Sequence, residues 1–169
     1  MNSKQNMLTK RVRNDLVIAS PVGKLRLVAS EKGLVAIDVR NHTKQETTID
    51  ASAQAILIKT KKQLEQYFAG TRTSFDVALD LVGTEFQVQA WRALGRIPFG
   101  KTISYSQQAK NMKKPKAFRA VGSANGMNPV PIIVPCHRVV ASDGSLGGYS
   151  LGLKMKKQLL AIEGVRGAE

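Results

Sequence analysis

The segment from Asn128 to Val134, Asn-Pro-Val-Pro-Ile-Ile-Val, limits the possible folds more than any other part of this 169-residue sequence. Proline has no backbone N–H and disfavours a helical conformation in the residue before it, so two alternating prolines exclude a helix. The remaining residues after the asparagine are apolar, which excludes a solvated loop. We therefore expect a buried extended segment that leads directly into Pro135-Cys136-His137-Arg138.

The chain before this segment predicts an α+β unit. From Asp15 to Val39, apolar residues alternate between turn signals, which is typical of a β meander. Helical spacing of apolar residues follows from Ala53 to Phe68, and Gly70 stands where a glycine helix cap is expected. We assign residues 1–80 to this N-terminal domain.

Residues 83–169 predict a second, mainly helical domain. Its second and third helices are short and are joined by a basic turn, which gives them the proportions of a helix-turn-helix. The predicted helices are one with Thr84 as its N-cap that ends before Ile97, one from Ser104 to about Lys110, one from Pro115 to Asn125, and one from Leu153 to Ile162.

The helix predicted from Pro115 to Asn125 has two different faces. Ala117, Val121 and Ala124 fall on one apolar stripe. The adjacent face is small and basic, which would let a helix approach DNA closely and place one long cation against the base stack or a phosphate. An ordinary surface helix has the same pattern. The residues of the small and basic face are Lys116, Arg119, Ala120 and Ser123.

The charge of the chain favours a polyanionic partner. The net charge is +14, and residues 84–169 carry 13 Lys and Arg against 4 Asp and Glu, compared with 13 against 8 in residues 1–83. Such a field attracts nucleic acid, although anionic lipid would be attracted too. No stretch has the length and apolarity of a membrane span or of a secretory signal. We expect a cytoplasmic protein, or a nuclear one in a eukaryote, with no membrane partner.

Cys136 is the only cysteine, and His42 and His137 are the only histidines. This set cannot form a disulfide or a Cys/His zinc site, so we predict no metal and no cofactor.

A reactive thiol needs a base or positive surroundings to form thiolate, and His137 is the candidate base. Neighbours on a strand point to opposite faces, so the pair requires a turn at Cys136 or a bridging water. Among the acidic residues of the second domain, Glu163 at the end of an apolar helix suits the role of orienting the imidazole. On these residues alone, we favour the explanation that Cys136 is a small buried apolar side chain and that His137 is a structural residue.

Residues 128–140, Asn-Pro-Val-Pro-Ile-Ile-Val-Pro-Cys-His-Arg-Val-Val, resemble along their whole length the active-site signature of the O6-alkylguanine-DNA alkyltransferases, or methylated-DNA–protein-cysteine methyltransferases. Four further segments agree with the family in order and spacing. They are Gly83-Thr-Glu-Phe-Gln through Trp91, Ile103-Ser-Tyr-Ser-Gln-Gln108, Lys116-Ala-Phe-Arg-Ala-Val-Gly122 and Gly147-Gly-Tyr-Ser150.

The resemblance implies an α+β protein with an N-terminal ribonuclease H-like α/β domain and a mainly helical, winged-helix-like C-terminal domain that contains a helix-turn-helix. It implies direct-reversal DNA repair. A monomer binds duplex DNA through the minor groove and transfers the alkyl group of O6-alkylguanine, and of O4-alkylthymine, to a cysteine. The transfer is irreversible and occurs once per molecule.

The resemblance also assigns roles by position. It makes Cys136 the alkyl acceptor, His137 its water-linked base, Glu163 the orienting carboxylate and Asn128 the hinge that ties the recognition helix to the active-site segment. Arg119 fills the space of the flipped nucleotide, and Tyr105 aids flipping and hydrogen-bonds the guanine. The base pocket is completed by Val139, Tyr149 and Ser150, and further DNA contacts come from Ser106, Lys114, Lys116 and Ser123.

Three other functions are compatible with parts of the pattern. An alkyltransferase-like protein would bind alkylated DNA without repairing it, but such proteins lack the cysteine. A helix-turn-helix transcription regulator would bind a specific sequence and would not need Cys136. A cysteine hydrolase would turn over and would require an oxyanion site.

Overall fold

The computed structural model describes residues 12–45 and 48–167. Residues 1–11, on which part of the secretory-signal prediction depends, lie outside the described residues. Within the described ranges, no helix is both long enough and apolar enough to cross a bilayer.

The N-terminal part contains the predicted meander and helix. Strands β1 (Asn14–Ile18), β2 (Leu25–Ala29) and β3 (Leu34–Asp38) form an antiparallel sheet in the order β1-β2-β3. Helix α1 (Ala51–Phe68) packs against this sheet and ends before Gly70, whose φ of 77° is the left-handed conformation that suits glycine. Both predictions for this part are confirmed.

The C-terminal part is mainly helical, as predicted. Helix α2 (Glu85–Leu94) begins with a capping box formed by Thr84 and Gln87. Two short parallel strands, β4 (Ile103–Ser104) and β5 (Val139–Val140), join the start of the helix-turn-helix to the active-site segment. The remaining elements are α3 (Tyr105–Asn111), α4 (Phe118–Gly126) and α5 (Leu153–Ile162).

Helices α3 and α4 are locked together by a buried amide pair. Gln108 and Asn125 donate to each other through their side-chain amides, at 3.0 and 2.7 Å. The indole of Trp91 on α2 donates to the Ala124 carbonyl at 2.8 Å. Three helices are therefore fixed relative to one another by polar contacts, which restricts how α4 can present its exposed face.

The third predicted helix begins later than expected. Pro115 lies in a turn, in which the Ala117 N–H donates to the Lys114 carbonyl, and α4 starts at Phe118. The turn is closed earlier by Lys113, whose φ of 60° is left-handed, with the Lys114 N–H bonded back to Ala109. This cap ends α3 and leaves no room for a proline-started helix. The predicted faces are nevertheless correct, since Val121 and Ala124 are buried whereas the residues of the small and basic face that belong to α4 (Arg119, Ala120, Ser123) are exposed.

The segment from Asn128 to Val134 is buried as predicted, but the prediction that it is extended is wrong. The Val134 N–H donates to the Val130 carbonyl at 2.9 Å, and Ile132 has a φ of 75°, so the segment is a tight loop. The Asn128 amide closes it by donating to the Val134 carbonyl at 2.7 Å. A side-chain hydrogen bond thus replaces the strand pairing that an extended segment would need.

One apolar core runs through both parts of the chain. It contains β2 and α1 from the N-terminal part, and the loop before Cys136 together with α5 from the C-terminal part. A backbone hydrogen bond of 2.9 Å from Ile37 on β3 to the Pro129 carbonyl connects the sheet directly to that loop. The active-site segment is therefore held by both parts.

Candidate active site

Cys136 lies on a single turn of 3-10 helix, Cys136–Arg138, which confirms the predicted turn. The turn bends the chain so that neighbouring side chains need not point to opposite faces. Cys136 has 6% of its surface exposed and lines a cavity of about 250 Å³. A larger cavity of about 810 Å³ includes Phe99 and Arg138 but not the cysteine, so size alone does not identify the reactive site.

His137 and Glu163 form a fully buried pair. Nε2 of the imidazole lies 2.7 Å from Oε1 of the carboxylate, and neither side chain is exposed. The carboxylate comes from the residue that follows α5, so the C-terminal helix delivers it to the turn. An ionised carboxylate only accepts hydrogen bonds, so the proton of a neutral imidazole is on Nε2 and its lone pair is on Nδ1.

Glu163 is held ionised by several donors. Arg138 makes two hydrogen bonds of 2.9 Å, one to each carboxylate oxygen, and the Gly100 N–H and the Tyr67 hydroxyl donate at 3.1 and 2.8 Å. Burial is the largest single influence and would raise the pKa of Glu163, but the hydrogen bonds from His137 and Arg138 lower it to about 2. The carboxylate is therefore negative near pH 7.

Nδ1 of His137 is buried, and no group among the described residues hydrogen-bonds it. Burial lowers the pKa of His137 in spite of the neighbouring carboxylate, so the ring is neutral near pH 7. A neutral ring with a bare Nδ1 can accept a proton, directly or through a water. This orphaned acceptor, one residue from the thiol, is the arrangement expected of a general base.

The resting thiol of Cys136 is protonated. Burial raises its pKa, whereas the Asn128 amide, the Tyr149 hydroxyl and the positive charge of Lys156 act in the opposite direction. The sulfur lies 3.9 Å from the Tyr149 hydroxyl. The site therefore stores a neutral thiol beside groups that stabilise its anion, and it requires a base to form that anion.

Tyr105 stands at the start of α3, and Tyr149 and Ser150 belong to the loop before α5; all three line the 250 Å³ cavity together with Cys136. The Tyr105 hydroxyl donates to the Gly148 carbonyl at 3.3 Å. Val139 and Asn128, which were predicted for the pocket and the hinge, are not among the residues that line this cavity. Val139 is fully buried, and its carbonyl already accepts a hydrogen bond from Lys156. The Asn128 amide donates to the Val134 carbonyl, two residues before Cys136.

The residues predicted to contact DNA lie on the helix-turn-helix. Arg119 is exposed at the start of α4, with its guanidinium 5.8 Å from the centre of the Phe118 ring. Lys114 lies in the preceding turn, 5.3 Å from the ring of Phe86. The others are exposed or half-buried on the same two helices and their turn: Ser106, Lys116 and Ser123.

Three residues of the site were not foreseen from the sequence: Tyr67, Arg138 and Lys156. Lys156 is fully buried on α5, and its ammonium donates to the carbonyls of Val139, Leu146 and Gly148. It therefore ties the strand after the cysteine to the loop that lines the cavity. Its position on the apolar face of α5, together with Leu159 and Leu160, was a sequence signal for burial.

The described part of the chain contains no cluster of three or more His, Cys, Asp or Glu side chains placed to hold a metal ion. The site consists of a thiol and, at the next residue, an imidazole that is paired with a buried carboxylate. This set can remove a proton from sulfur and can stabilise the resulting anion.

Known proteins match this chain in sequence and in fold. Residues 16–81 match the protein family described as "6-O-methylguanine DNA methyltransferase, ribonuclease-like domain", and residues 85–165 match its "DNA binding domain". The methylated-DNA–protein-cysteine methyltransferase of Methanosarcina acetivorans is 45% identical over 150 residues, which cover 88% of this chain and 96% of that protein.

Solved structures agree with these matches. The crystal structure of Mycobacterium tuberculosis O6-methylguanine methyltransferase aligns with a TM-score of 0.78 at 42% identity, over 89% of this chain and 92% of that one. The M. tuberculosis OGT in complex with DNA aligns with a TM-score of 0.77 at 44% identity, over 87% and 90%. The predicted resemblance and fold class are thereby confirmed. With both domain models matched and a relative 45% identical over most of its length, this chain belongs to the methylated-DNA–protein-cysteine methyltransferase family.

Proposed function

We propose that this protein repairs O6-alkylguanine, and O4-alkylthymine, in duplex DNA by transferring the alkyl group irreversibly to Cys136. The observation that carries the proposal is the position of the thiol. Cys136 lines a cavity of about 250 Å³ and is followed in the chain by an imidazole that is neutral and oriented by Glu163. One similar structure is that of an O6-methylguanine methyltransferase, and another was solved in complex with DNA.

The reaction begins with the thiol proton. Nδ1 of His137 accepts this proton, through a bridging water if Nδ1 and the sulfur are not in direct contact. Glu163 stabilises the imidazolium that forms. The sulfur attacks the alkyl carbon, so that a carbon–sulfur bond forms as the bond between that carbon and O6 breaks. The electron pair of the broken carbon–O6 bond passes to the guanine. The guanine then takes up the proton that His137 removed from the thiol. Atoms and charge balance without a cofactor.

The alkyl carbon must leave the helix before it can meet the sulfur. Extruding a nucleotide costs a few kcal/mol in lost stacking and pairing. Arg119, exposed at the start of α4, enters the duplex from the minor groove and offsets part of this cost. Tyr105 assists the rotation from the rim of the cavity. Contacts to the backbone come from the surrounding polar and basic residues, namely Ser106, Lys114, Lys116 and Ser123.

The cavity then recognises the base. Tyr149 and Ser150 line it from the loop before α5, and Tyr105 lines it from the start of α3. The Val139 carbonyl does not line the cavity in the free protein and accepts a hydrogen bond from Lys156. It can accept a second one from the base, since a carbonyl oxygen has two lone pairs. Asn128 couples this pocket to α4 as a hinge, because its amide closes the loop that follows that helix.

The product limits the protein to one reaction. A thioether carbon has no activated leaving group, so the alkyl group stays on Cys136. We infer that a monomer, divided into domains 1–80 and 83–169, acts once on DNA in the cytoplasm, or in the nucleus of a eukaryote.

Intact-protein mass spectrometry tests the proposal. The protein is incubated with a duplex that carries one O6-methylguanine, and we expect each molecule to replace the thiol hydrogen by one methyl group. Peptide mapping should place the methyl on Cys136, and Cys136→Ser should gain nothing. An unmodified duplex is the control. Turnover beyond one lesion per molecule, or no gain of mass, would refute the proposal.

A further inference from the structure

Tyr67 connects the N-terminal part of the chain to the candidate active site. It is the penultimate residue of α1, and its side chain has no exposed surface. Three aromatic rings surround it, with centroid distances of 5.3, 5.4 and 6.1 Å to Phe68, Phe75 and Phe99. The ring is therefore fixed in position, which fixes the direction of its hydroxyl.

The hydroxyl donates to Oε1 of Glu163 at 2.8 Å, across 96 residues of sequence. The same oxygen accepts from Nε2 of His137 and from Arg138. The other donors to this carboxylate belong to residues 100–138. Among the described residues of the N-terminal part, Tyr67 is therefore the one that donates to it.

A glutamate side chain has three rotatable bonds, and its carboxylate orients His137 only if it cannot rotate itself. Arg138 and Gly100 restrain it from the C-terminal part of the chain, and Tyr67 restrains it from helix α1 of the N-terminal part. The Tyr67 donor also withdraws charge from Oε1. It therefore limits how strongly the carboxylate attracts the His137 proton.

We infer that Tyr67 is a positioning residue for alkyl transfer, which acts through Glu163 to hold His137 with Nδ1 available to the thiol. The inference rests on the proposed function and extends it, because it makes the N-terminal part a contributor to the reaction site and not only a support.

The opposing explanation is that Tyr67 is a core residue whose buried hydroxyl needs an acceptor and finds Glu163 by proximity. Both explanations predict that Tyr67→Phe is less stable. They differ in kinetics, since a packing defect slows the reaction by the same factor at every pH and in every background. A positioning effect acts through the Glu163 carboxylate, so it should change with pH and should disappear when that carboxylate is removed.

The test compares Tyr67→Phe with Thr60→Val. Thr60 is a matched control because its hydroxyl is also buried on α1 but donates to Ile56 in its own helix. Single-turnover methyl transfer from duplex O6-methylguanine is measured between pH 5 and 9. We expect Tyr67→Phe to be roughly tenfold slower near pH 7, as suits the loss of a hydrogen bond to a charged group, and Thr60→Val to stay within about twofold of the wild type.

The pH profile gives a second readout. The charged groups around His137 are Glu163, Arg138 and Lys156, and Tyr67→Phe leaves them in place. A carboxylate that has lost one donor attracts the imidazole proton more strongly, which raises the pKa of His137. The acid limb of the rate profile should therefore move to higher pH. Nitrogen chemical shifts of His137 in wild type and variant report the same change in the resting protein, independently of rate.

A double-mutant cycle with Glu163→Gln separates the explanations. In the Glu163→Gln background, Tyr67→Phe should change the transfer rate by less than about twofold. An equal tenfold effect in both backgrounds, or an unmoved acid limb, would overturn the inference. If the wild-type protein accepts no methyl group, the proposed function itself has failed; if it accepts one and Tyr67→Phe matches it, only the positioning role has failed.

Discussion

The ammonium of Lys156 donates a 2.7 Å hydrogen bond to the Val139 carbonyl from a side chain with no exposed surface. Two further carbonyls, of Leu146 and Gly148, complete its acceptors. No carboxylate pairs with it among the ion pairs of the described residues. A buried cation without a counter-ion is costly, and here its charge faces the thiol and the loop that lines the cavity.

Replacing Lys156 by Met should impair transfer. The substitution keeps the length of the side chain but leaves three carbonyls, of which that of Val139 is buried, without this donor. It also removes a charge that lowers the pKa of Cys136. We expect the single-turnover rate to fall roughly tenfold or more and the pH at which iodoacetamide labels Cys136 to rise.

Lys157→Met is the matched control for this experiment, since Lys157 is the next residue of α5 and is exposed. It should match the wild type in both measurements. An unchanged labelling profile in Lys156→Met would show that the charge does not act on the sulfur.

Asn128→Ala should affect both stability and the thiol. The amide donates to Val134 at 2.7 Å and accepts from the Val130 N–H at 2.9 Å, so its loss opens the loop before Cys136. We expect the free energy of unfolding to fall by about 1–3 kcal/mol and the pKa of Cys136 to rise further. Urea unfolding and thiol titration measure the two effects. Asn111→Ala, at an exposed position, is the control and should leave both unchanged.

The protein should lose stability in acid in two stages. The pKa of His137 is lowered in the folded state, so the unfolded chain binds its proton first and stability declines as the pH falls below about 6.5. The pKa of Glu163 is lowered to about 2 from an ordinary 4.5, so its contribution is present above pH 4.5 and disappears as the pH falls towards 2.

In the second stage the free energy of unfolding should fall by about 3 kcal/mol. The pKa of Glu163 changes from 4.5 to about 2, and each pKa unit corresponds to about 1.4 kcal/mol. Chemical unfolding at a series of pH values measures it. Glu163→Gln should abolish the decline below pH 4.5 while lowering stability at neutral pH, because Arg138 is left without its charged partner. A variant that keeps the full acid decline would show that other carboxylates cause it.

Arg119→Ala should separate extrusion from chemistry. The side chain is exposed on α4 and lies outside the cavity that contains Cys136. In the proposed mechanism, repair of a duplex uses the Arg119 guanidinium and reaction with a free O6-alkylguanine base does not. We therefore expect the substitution to slow only duplex repair strongly. Rates with both substrates are compared with those of Arg166→Ala, an exposed arginine after α5. Equal slowing with both substrates would exclude the role in extrusion.

The predictions from sequence succeeded where local chemistry decides the outcome. Thr84 caps α2, Gly70 ends α1 in a left-handed conformation, and α5 spans the predicted residues. They failed where a long-range contact overrides local preference. Ile132 adopts a positive φ, unusual for a β-branched residue, because the Asn128 amide and the surrounding core impose a loop on an apolar run that would otherwise read as a strand.

The candidate site shows the same division. The signature identifies Cys136 and His137, and Glu163 follows from its place at the end of an apolar helix. Tyr67 falls on the buried face of α1, a pattern that predicts burial but cannot predict that its hydroxyl reaches a carboxylate 96 residues away. The position of Lys156 on the apolar face of α5 indicates burial, but the sequence cannot predict which carbonyls of two separate segments accept its hydrogen bonds.

The backbone bond from Ile37 to Pro129 has a consequence for how the molecule melts. It joins edge strand β3 to the loop that precedes Cys136, so the sheet cannot unfold without releasing that loop. Heat should therefore disrupt both halves of the chain in a single cooperative transition, in which reactivity and secondary structure vanish together.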